Sequence, residues 1–250
     1  MAAHPEGSDP SPKGGDIVAI LVAAGRGTRA GAGGPKQYRE LAGEPILART
    51  ALVFLGHPKI NWVRIIIHRD DEAAYSKAMD RLQNNPKLMA PVVGGAERQD
   101  SVRLGLESLE ATAPACVLIH DAARPFVDVA TIDRVIAAVG PGHGAIAALP
   151  VFDTIKLART AFNNAPPQID KTVPRDALWR AQTPQGFSYA DILRAHRSHA
   201  GQTLTDDASV AEAANIPVAL VAGSPDNMKI TQAEDFGMAE VLLRRHEKDK

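Results

Sequence analysis

"IVAILVAAGRGTRAGAGGPKQ", residues 17–37, joins an apolar run to a loop that is rich in glycine. The run lacks polar alternation, which predicts a strand buried on both faces, as parallel sheets require. The loop that follows contains five glycines, three cationic residues and one proline, and its alanines add almost no bulk. A ligand can therefore approach this backbone closely, and a phosphate is the ligand that its amides and cations would suit best.

Outward from this strand, short apolar runs alternate with stretches of helical periodicity. Further strands are predicted at "WVRIIIH", "LMAPVVGG", "ACVLIHD", "GAIAALPV" and "VALVAG". Helices are predicted between them, for example at "PILARTALVFLGH", "RQDSVRLGLESLE" and "ATIDRVIAAVG". This order predicts an α/β fold with a doubly wound, mostly parallel sheet, whose ligands bind beyond the carboxyl ends of the strands.

Composition divides the chain into a leader, one domain and an arm. Residues 1–15 combine Pro, Gly and Ser with little hydrophobicity, which predicts a disordered leader. Residues 16–247 are predicted to form a single domain. Within it, residues 151–177 hold two polar β-like pieces around a turn rich in Asn and Pro, which predicts a β-hairpin arm. Because an isolated hairpin is marginal in water, we expect the arm to lean on a second subunit.

Two helix starts carry capping signals. "TDDASVAEAAN" predicts a helix for which Thr205 is the expected N-cap, since a hydroxyl can accept a hydrogen bond from the first turn. In "TQAE", Thr231 and Glu234 have the spacing of a capping box and predict the start of the last helix.

Charge and residue usage exclude several function classes. The formal net charge of -1 argues against a general nucleic-acid or membrane-surface binder, and the 4% aromatic content offers no stacking platform for single strands. No apolar stretch approaches the roughly 18 residues of a membrane span, and residues 1–15 lack a signal peptide. We therefore expect a cytoplasmic protein. The single cysteine, Cys116, lies in an apolar run and is expected to pack in the core.

The glycine-rich loop leaves more than one interpretation open. A Walker A loop is excluded because Pro35 precedes Lys36 and Gln37 follows it, so the hydroxyl that binds magnesium is missing. "GRGTRA" fits a permissive dinucleotide-binding pattern, but the acidic residue expected about 20 residues later falls in a loop and helix start. A third interpretation is a loop that wraps a nucleoside triphosphate, and a surface loop with solvated cations is the plain alternative.

Seven motifs together resolve this choice by resemblance. They occur in this order: "AAGRGTRAGAGGPKQY", "GGAERQDSV", "VLIHDAARPFV", "FDTIK", "AQTPQGF", "TDDASV" and "DNMKIT". The set resembles the 2-C-methyl-D-erythritol 4-phosphate cytidylyltransferases of the non-mevalonate isoprenoid pathway, over about residues 17 to 245. The resemblance implies a Rossmann-like nucleotidyltransferase fold, CTP and methylerythritol phosphate as substrates, Mg²⁺ as cofactor, and a homodimer whose sites are completed by the neighbouring arm.

The resemblance also implies roles for individual residues. Arg29, Lys36 and Lys229 would surround the α-phosphate of CTP as catalytic cations. Ala23, Ala24, Gly25, Gly27, Gly94, Gly95 and Ser101 would bind the nucleotide. Asp121, Arg124, Thr154, Arg175 and Thr205 would bind substrate, and Asp121, at the end of an apolar strand, could share Mg²⁺ with the triphosphate. Ala30 and Ala96 depart from the residues common in relatives, and both departures spare the charged positions.

Two rival functions remain open from the sequence. One is a cytidylyltransferase that acts on another polyol or sugar phosphate, such as ribitol phosphate, which would share the first loop but not the arm and "FDTIK". The other is a non-enzymatic, dinucleotide-binding regulatory module, which "GRGTRA" alone would permit.

Overall fold

The structure is a computed structural model that describes residues 15–25, 34–159 and 166–248. Its strands are β1 Ile17–Ala23, β2 Glu40–Leu41, β3 Glu44–Pro45, β4 Trp62–Ile67, β5 Val92–Val93, β6 Cys116–Asp121, β7 Gly144–Pro150, β8 Ile155–Ala158, β9 Ile169–Val173, β10 Trp179–Ser188 and β11 Val218–Ala222. Its helices are α1 Ile46–Gly56, α2 Glu72–Met79, α3 Arg98–Glu107, α4 Val129–Ala138, α5 Tyr189–Ser198, α6 Asp207–Ala213 and α7 Glu234–Lys248. The predicted leader, apart from Gly15, lies outside the described residues.

Seven strands form the central sheet, in the order β11-β7-β10-β6-β1-β4-β5. All neighbouring strands run parallel except β10, which is antiparallel to both β6 and β7. The predicted α/β fold with a mostly parallel sheet is therefore confirmed. Strand β10 was not predicted, although it lies near the middle of the sheet.

Helices cover both faces of this sheet. Alternate residues of β1 point to opposite sides: Leu21 packs in one apolar cluster with α1 and α4, and Ile20 packs in another with α3, α5 and α6. A third, smaller cluster joins α7 to β2 and to the start of α1. Cys116 is buried in the first cluster, as expected, and burial raises the pKa of its thiol to about 12.

The carboxyl ends of three central strands meet at one edge. Val22 of β1 is in register with Asp121 of β6, and Ala23 is in register with Ile67 of β4. The loops that leave these strands therefore begin side by side, at the edge where doubly wound folds bind ligands.

The predicted arm is present as a hairpin separate from the central sheet. Strands β8 and β9 pair with each other in antiparallel fashion, from Ile155 opposite Val173 to Ala158 opposite Ile169. Its large apolar side chains are exposed, with Phe152 at 75% and Ile169 at 63%. The tip of the arm, residues 160–165, lies outside the described part of the chain.

Both predicted helix starts need correction. The N-cap of α6 is Asp206, whose carboxylate accepts from the Ser209 amide at 2.9 Å, while Thr205 lies exposed before it. At the last helix, the amide and hydroxyl of Thr231 donate to Asp235, at 2.6 and 2.7 Å, and not to Glu234. An acidic side chain thus accepts the hydrogen bonds at both helix starts, since an ionised carboxylate is a strong acceptor.

Of the helices in the described ranges, none has both the length and the apolar character that crossing a lipid bilayer requires.

Candidate functional site

A cavity of about 640 Å³ opens at the carboxyl edge of the sheet, where the loops after β1, β5 and β6 meet. Both polar and charged side chains reach it. Its lining consists of Val22, Ala23, Ala24, Gly25, Lys36, Gln37, His68, Gly95, Ala96, Glu97, Arg98, Ser101, Asp121, Ala122, Ala123, Lys229 and Thr231. Eight of the predicted site residues are in this lining: Ala23, Ala24, Gly25, Lys36, Gly95, Ser101, Asp121 and Lys229.

Gln37 ties the two ends of the glycine-rich loop together. Its buried side-chain amide donates to the carbonyl oxygen of Ala23 at 2.6 Å and to that of Gly25 at 3.0 Å. The residues between, 26–33, lie outside the described part of the chain, and they include the predicted Gly27 and Arg29. Gln37 was not predicted as a site residue, because nothing in the sequence shows which backbone its amide would reach.

Two glycines let the loop after β5 pack closely against β1 and α3. A Cβ at Gly94 would lie 2.6 Å from Ser101 Oγ and 2.8 Å from Ala24 Cβ, and one at Gly95 would lie 2.4 Å from Asp100 Cβ. Ser101 supports the loop further: its Oγ accepts from the Gly95 amide at 3.2 Å and donates to Glu97 O at 3.0 Å. Gly94 thus lies behind the cavity wall, while Gly95 and Ser101 form part of it.

Three cationic side chains of the site converge on the carboxylate of Asp121. Lys229 Nζ lies 2.9 Å from its Oδ2, and the Nε atoms of Arg98 and Arg124 each lie 3.4 Å from one of its oxygens. Burial alone would raise the pKa of this carboxyl group, but Arg98, Lys229 and Arg124 hold it well below its ordinary value. The carboxylate is therefore ionised and shared among three cations.

Arg98 bridges two carboxylates, a role that the sequence did not show. Its Nη2 donates to Asp207 Oδ2 at 2.8 Å, and its Nε faces Asp121. Asp207 is 0% exposed and its other oxygen lies 3.2 Å from Nε2 of the buried His196. Burial alone would lower the pKa of Arg98, but Asp207 and Asp121 raise it above its ordinary value. Asp207 is 109 residues away in the chain, so no local pattern could link the pair.

A hydrogen-bonded chain fixes the end of β6 to β10. His120 Nε2 lies 3.1 Å from Arg124 O, which can only accept, so this nitrogen carries the proton. Burial lowers the pKa of His120 to about 4, so the ring is neutral and its Nδ1 accepts from Thr183 Oγ1 at 2.9 Å. The Thr183 oxygen in turn accepts from the Asp121 amide at 3.1 Å. The backbone of Asp121 is thereby held in place.

The irregular middle of β10 also anchors the loop that carries Lys229. The register of β10 against β7 shifts between Ala181 and Gln185, which frees the residues between them to bond elsewhere. Gln182 exchanges hydrogen bonds with Ser224, at 2.9 and 3.2 Å, and Asn227 Nδ2 donates to Thr183 O at 2.7 Å. Lys229, two residues after Asn227, is thus held over Asp121.

Lys36 reaches the cavity from the other end of the chain. It begins the short 3-10 turn Lys36–Tyr38, directly after the glycine-rich loop. Lys36 and Lys229 line the same cavity together with Asp121, as the sequence predicted.

The remaining predicted residues lie outside this lining. Arg124 packs behind Asp121, where its Nη1 donates to Asn227 O at 2.8 Å. Thr154 and Arg175 are exposed on the arm, where Arg175 donates to the carbonyl oxygen of Phe152. Thr205 is exposed beside α6. Within the described residues, none of these four side chains lines the cavity. Thr154 and Arg175 could therefore contact a cavity of this kind only if it belonged to another subunit.

Asp121 is the carboxylate among the predicted site residues that could share a metal ion with a ligand. Among the described residues, no group of three or more His, Cys, Asp or Glu side chains is placed to hold a metal by itself. Magnesium usually takes one or two protein carboxylates and completes its shell with phosphate oxygens and water. Asp121 could therefore supply one ligand to a magnesium ion whose remaining ligands come from phosphate oxygens and water.

The fold and the cavity first define a class. The chain is a doubly wound α/β protein with a cation-lined ligand cavity at the carboxyl edge of its sheet.

Comparison with known proteins narrows this class to a family. A family model described as "IspD: 2-C-methyl-D-erythritol 4-phosphate cytidylyltransferase" matches residues 17–245. The chain belongs to this family.

Individual relatives agree with the family match. The chain is 55% identical over 228 residues to the "Bifunctional enzyme IspD/IspF" of Rhodospirillum rubrum, which covers 91% of this chain and 57% of the relative. The chain therefore spans little more than half the length of that relative. A 2-C-methyl-D-erythritol 4-phosphate cytidylyltransferase structure from Thermus thermophilus has a TM-score of 0.70 at 32% identity, covering 90% of this chain and 98% of that one. A 4-diphosphocytidyl-2C-methyl-D-erythritol synthase structure from Anaerococcus prevotii has a TM-score of 0.77 at 26% identity, with coverage of 92% and 96%.

Proposed function

We propose that this chain transfers CMP from CTP to 2-C-methyl-D-erythritol 4-phosphate, releasing pyrophosphate and forming 4-diphosphocytidyl-2-C-methyl-D-erythritol. One observation carries the proposal: Lys36, Lys229 and Asp121 line a single cavity that begins at the glycine-rich strand end. The family to which the chain belongs supports the choice of substrates. A cytoplasmic location, where nucleoside triphosphates are available, is part of the same proposal.

The reaction needs charge stabilisation more than a base. An oxygen of the sugar phosphate attacks the α-phosphorus of CTP, and the bond from that phosphorus to the α,β-bridging oxygen breaks as pyrophosphate leaves with the electron pair. The attacking phosphate is already an anion near neutral pH, so no proton has to be removed. The difficulty is to bring two anions together, and positioned cations lower that barrier.

Lys36 and Lys229 are the described cations best placed for this work. Lys229 is paired with Asp121 at 2.9 Å, so an α-phosphate would compete with that carboxylate for its ammonium group. Lys36 lines the same cavity at the end of the glycine-rich loop, from where it could contact the same phosphate. Arg29 is proposed as a third cation, and it belongs to the loop segment outside the described residues.

Mg²⁺ is the proposed cofactor, held by Asp121 together with phosphate oxygens of CTP. When bound, it would neutralise triphosphate charge and favour pyrophosphate as the leaving group. Asp121 would present an ionised oxygen to it, because the neighbouring cations keep the pKa of this group low.

The backbone of Ala23, Ala24 and Gly25 would bind the phosphates, and the wall at Gly95 and Ser101 would face the cytidine. Gly94 contributes by keeping the wall close to β1, since a side chain there would collide with Ser101 and Ala24.

Thr154, Arg175 and Thr205 are proposed to bind the sugar phosphate. Ribitol phosphate and similar acceptors are not favoured, because the matching family model is described by methylerythritol phosphate.

We further propose that the protein acts as a homodimer in which each arm completes the site of the other subunit. The exposed apolar side chains of the arm support this, since Phe152, Leu157 and Ile169 are exposed in a single subunit. Exposed apolar patches on a hairpin that is marginal by itself favour a covering surface. Arg175 and Thr154, which do not reach the cavity of their own chain, would then reach that of the partner.

A substrate panel tests the proposal directly. Pyrophosphate release is measured with Mg²⁺, each of the four nucleoside triphosphates, and either methylerythritol phosphate or ribitol phosphate. We expect release with CTP and methylerythritol phosphate only. Activity with UTP or GTP in place of CTP, or a preference for ribitol phosphate, would contradict the proposal. Tight NAD binding without any response to CTP would instead favour a regulatory module.

A further inference from the structure

Asp207 is a buried carboxylate that contacts the cavity lining without belonging to it. Arg98 lines the cavity, whereas its partner Asp207 is buried in the first turn of α6, against His196 of α5. Removing a carboxylate from water carries a large free-energy cost, and apolar residues of similar size would join α3 to α6 at least as well. Stability alone therefore gives little reason for a charge at position 207.

The geometry of Arg98 suggests what this charge does. Its contacts to Asp207 and Asp121 engage Nη2 and Nε, so the donors on Nη1 can face a ligand in the cavity. A guanidinium is planar, and fixing two of its nitrogens fixes the direction of the third. Asp207 thus determines where the remaining donors of Arg98 point.

Asp207 also limits the contact of Arg98 with Asp121. Without the charge at Asp207, Asp121 would be the only carboxylate partner of Arg98 in the described part of the chain. Arg98 would then turn towards Asp121 and compete there with Lys229, whose ammonium group lies 2.9 Å from the same carboxylate.

We infer that Asp207 is a positioning residue for the nucleotide site: it holds Arg98 on the cavity wall with its free donors towards the triphosphate. This inference rests on the proposed function. His196, hydrogen-bonded to the second oxygen of Asp207, completes the support. The effect on CTP is indirect, because Asp207 itself does not reach the cavity.

The test compares Asp207→Asn with a matched control, Asp191→Asn. Asp191 also pairs with an arginine, Arg194 at 2.7 Å, but on the outer side of α5 away from the cavity lining. For Asp207→Asn we expect the KM for CTP to rise about tenfold, the KM for methylerythritol phosphate to change less than about threefold, and kcat per folded site to stay within about threefold. Asp191→Asn should leave all three values unchanged.

A double-mutant cycle separates positioning from simple support of the fold. If Asp207 acts through Arg98, then Asp207→Asn should add less than about twofold to the KM for CTP in an Arg98→Gln background. Arg98→Lys, which keeps the charge but cannot bridge both carboxylates, should raise the KM for CTP as Asp207→Asn does. Melting temperatures of every variant are measured alongside.

Two results would overturn the inference. One is a lower melting temperature for Asp207→Asn with an unchanged KM for CTP, which marks a structural role only. The other is full additivity of the two KM changes in the cycle. If Asp207→Asn does not fold, two other variants decide the question: Arg98→Lys, and the charge-neutral double variant Arg98→Gln/Asp207→Asn. Neither of them leaves Asp207 as an unpaired buried charge. A wild-type enzyme inactive with CTP would instead reject the proposed function itself.

Discussion

In the proposed reaction, single side chains would decide the charge around the α-phosphate of CTP. Lys36 arrives from the short turn after the glycine-rich loop, and Lys229 arrives from a loop anchored on β10. Neither lysine needs the other for its own placement. Their contributions can therefore be measured one at a time.

Removing either lysine should slow turnover and leave the fold intact. We expect Lys36→Ala and Lys229→Ala each to lower kcat by about 10² or more, because one charged donor at a developing transition-state charge typically contributes about 3 to 4 kcal/mol. Steady-state pyrophosphate release gives kcat, and circular dichroism checks the fold. Lys59→Ala is the control, since Lys59 pairs with Asp133 on the surface. A loss below about threefold would remove that lysine from the mechanism.

His120 should make the fold acid-sensitive. Burial lowers the pKa of its imidazole from the ordinary 6.5 to about 4. Between pH 4 and pH 6.5 the ring is therefore protonated in the unfolded chain but neutral in the folded protein. The stabilisation is fully present above pH 6.5 and is lost as the pH falls towards 4. We expect this group to reduce the free energy of unfolding by on the order of 2 to 3 kcal/mol between pH 7 and pH 4.5.

Urea unfolding at several pH values measures this loss, with His120→Gln as the reference. The glutamine side chain cannot titrate, so the variant should lose less stability over the same interval, while other groups contribute equally to both proteins. Parallel pH profiles for the two proteins would show that His120 does not cause the acid sensitivity.

At the level of elements, the glycine pair after β5 sets how closely α3 approaches β1. Gly94→Ala should destabilise the protein by about 1 to 3 kcal/mol, because its Cβ would overlap Ser101 and Ala24. The same change should weaken CTP binding, as the cavity wall shifts. Chemical unfolding and calorimetric titration with CTP measure the two effects.

Gly237→Ala is the matched control for this substitution. Gly237 lies in α7 with open space around the position of a Cβ, so alanine there should stabilise the protein by about 0.5 to 1 kcal/mol. Opposite signs for the two substitutions are expected. A neutral Gly94→Ala would mean that the loop can move away from α3 at little cost.

The sequence predicted most elements but missed β10, and the reason is physical. Apolar runs such as those of β1, β4 and β6 are readable because both faces of these strands are buried. The middle of β10, residues 182–185, reads Gln-Thr-Pro-Gln and looks like a turn. These polar residues are buried all the same, because they bond to the loops of the site.

The placement of a residue in the cavity lining was predictable where it follows from that residue's own strand end, and not where it depends on a distant partner. Asp121 could be placed because it ends an apolar strand, and the glycines because they remove bulk. Arg98 was not predicted as a site residue, since its partner Asp207 is 109 residues away in the chain. The one-residue error at Thr205 arose because Thr205 and Asp206 are both good caps and only the backbone distinguishes them.

For the whole molecule, shared sites can be tested by mixing defective subunits. Arg175→Ala and Lys36→Ala should each be nearly inactive alone. If each arm serves the partner's cavity, a mixed dimer has one intact site and one site with both defects. An equal mixture should therefore recover about one quarter of the wild-type activity per site, since half of the dimers are mixed.

Subunit exchange must be shown independently, for example by native mass spectrometry of differently tagged chains. Exchange without recovered activity would mean that each site lies within one chain. Binding data add a second criterion: Arg175→Ala should weaken sugar-phosphate binding far more than CTP binding.

The way in which the arm joins the sheet affects how freely its length and sequence can change, both in evolution and in protein engineering. β7 ends at Pro150 and β10 begins at Trp179, and these two residues are directly paired, with Val151 N bonded to Leu178 O at 3.0 Å. The whole projection is thus the connection between two neighbouring antiparallel strands, closed at its root. We therefore expect that this connection can be shortened to a tight turn, lengthened or exchanged with that of a relative. The strand order of the central sheet should not change.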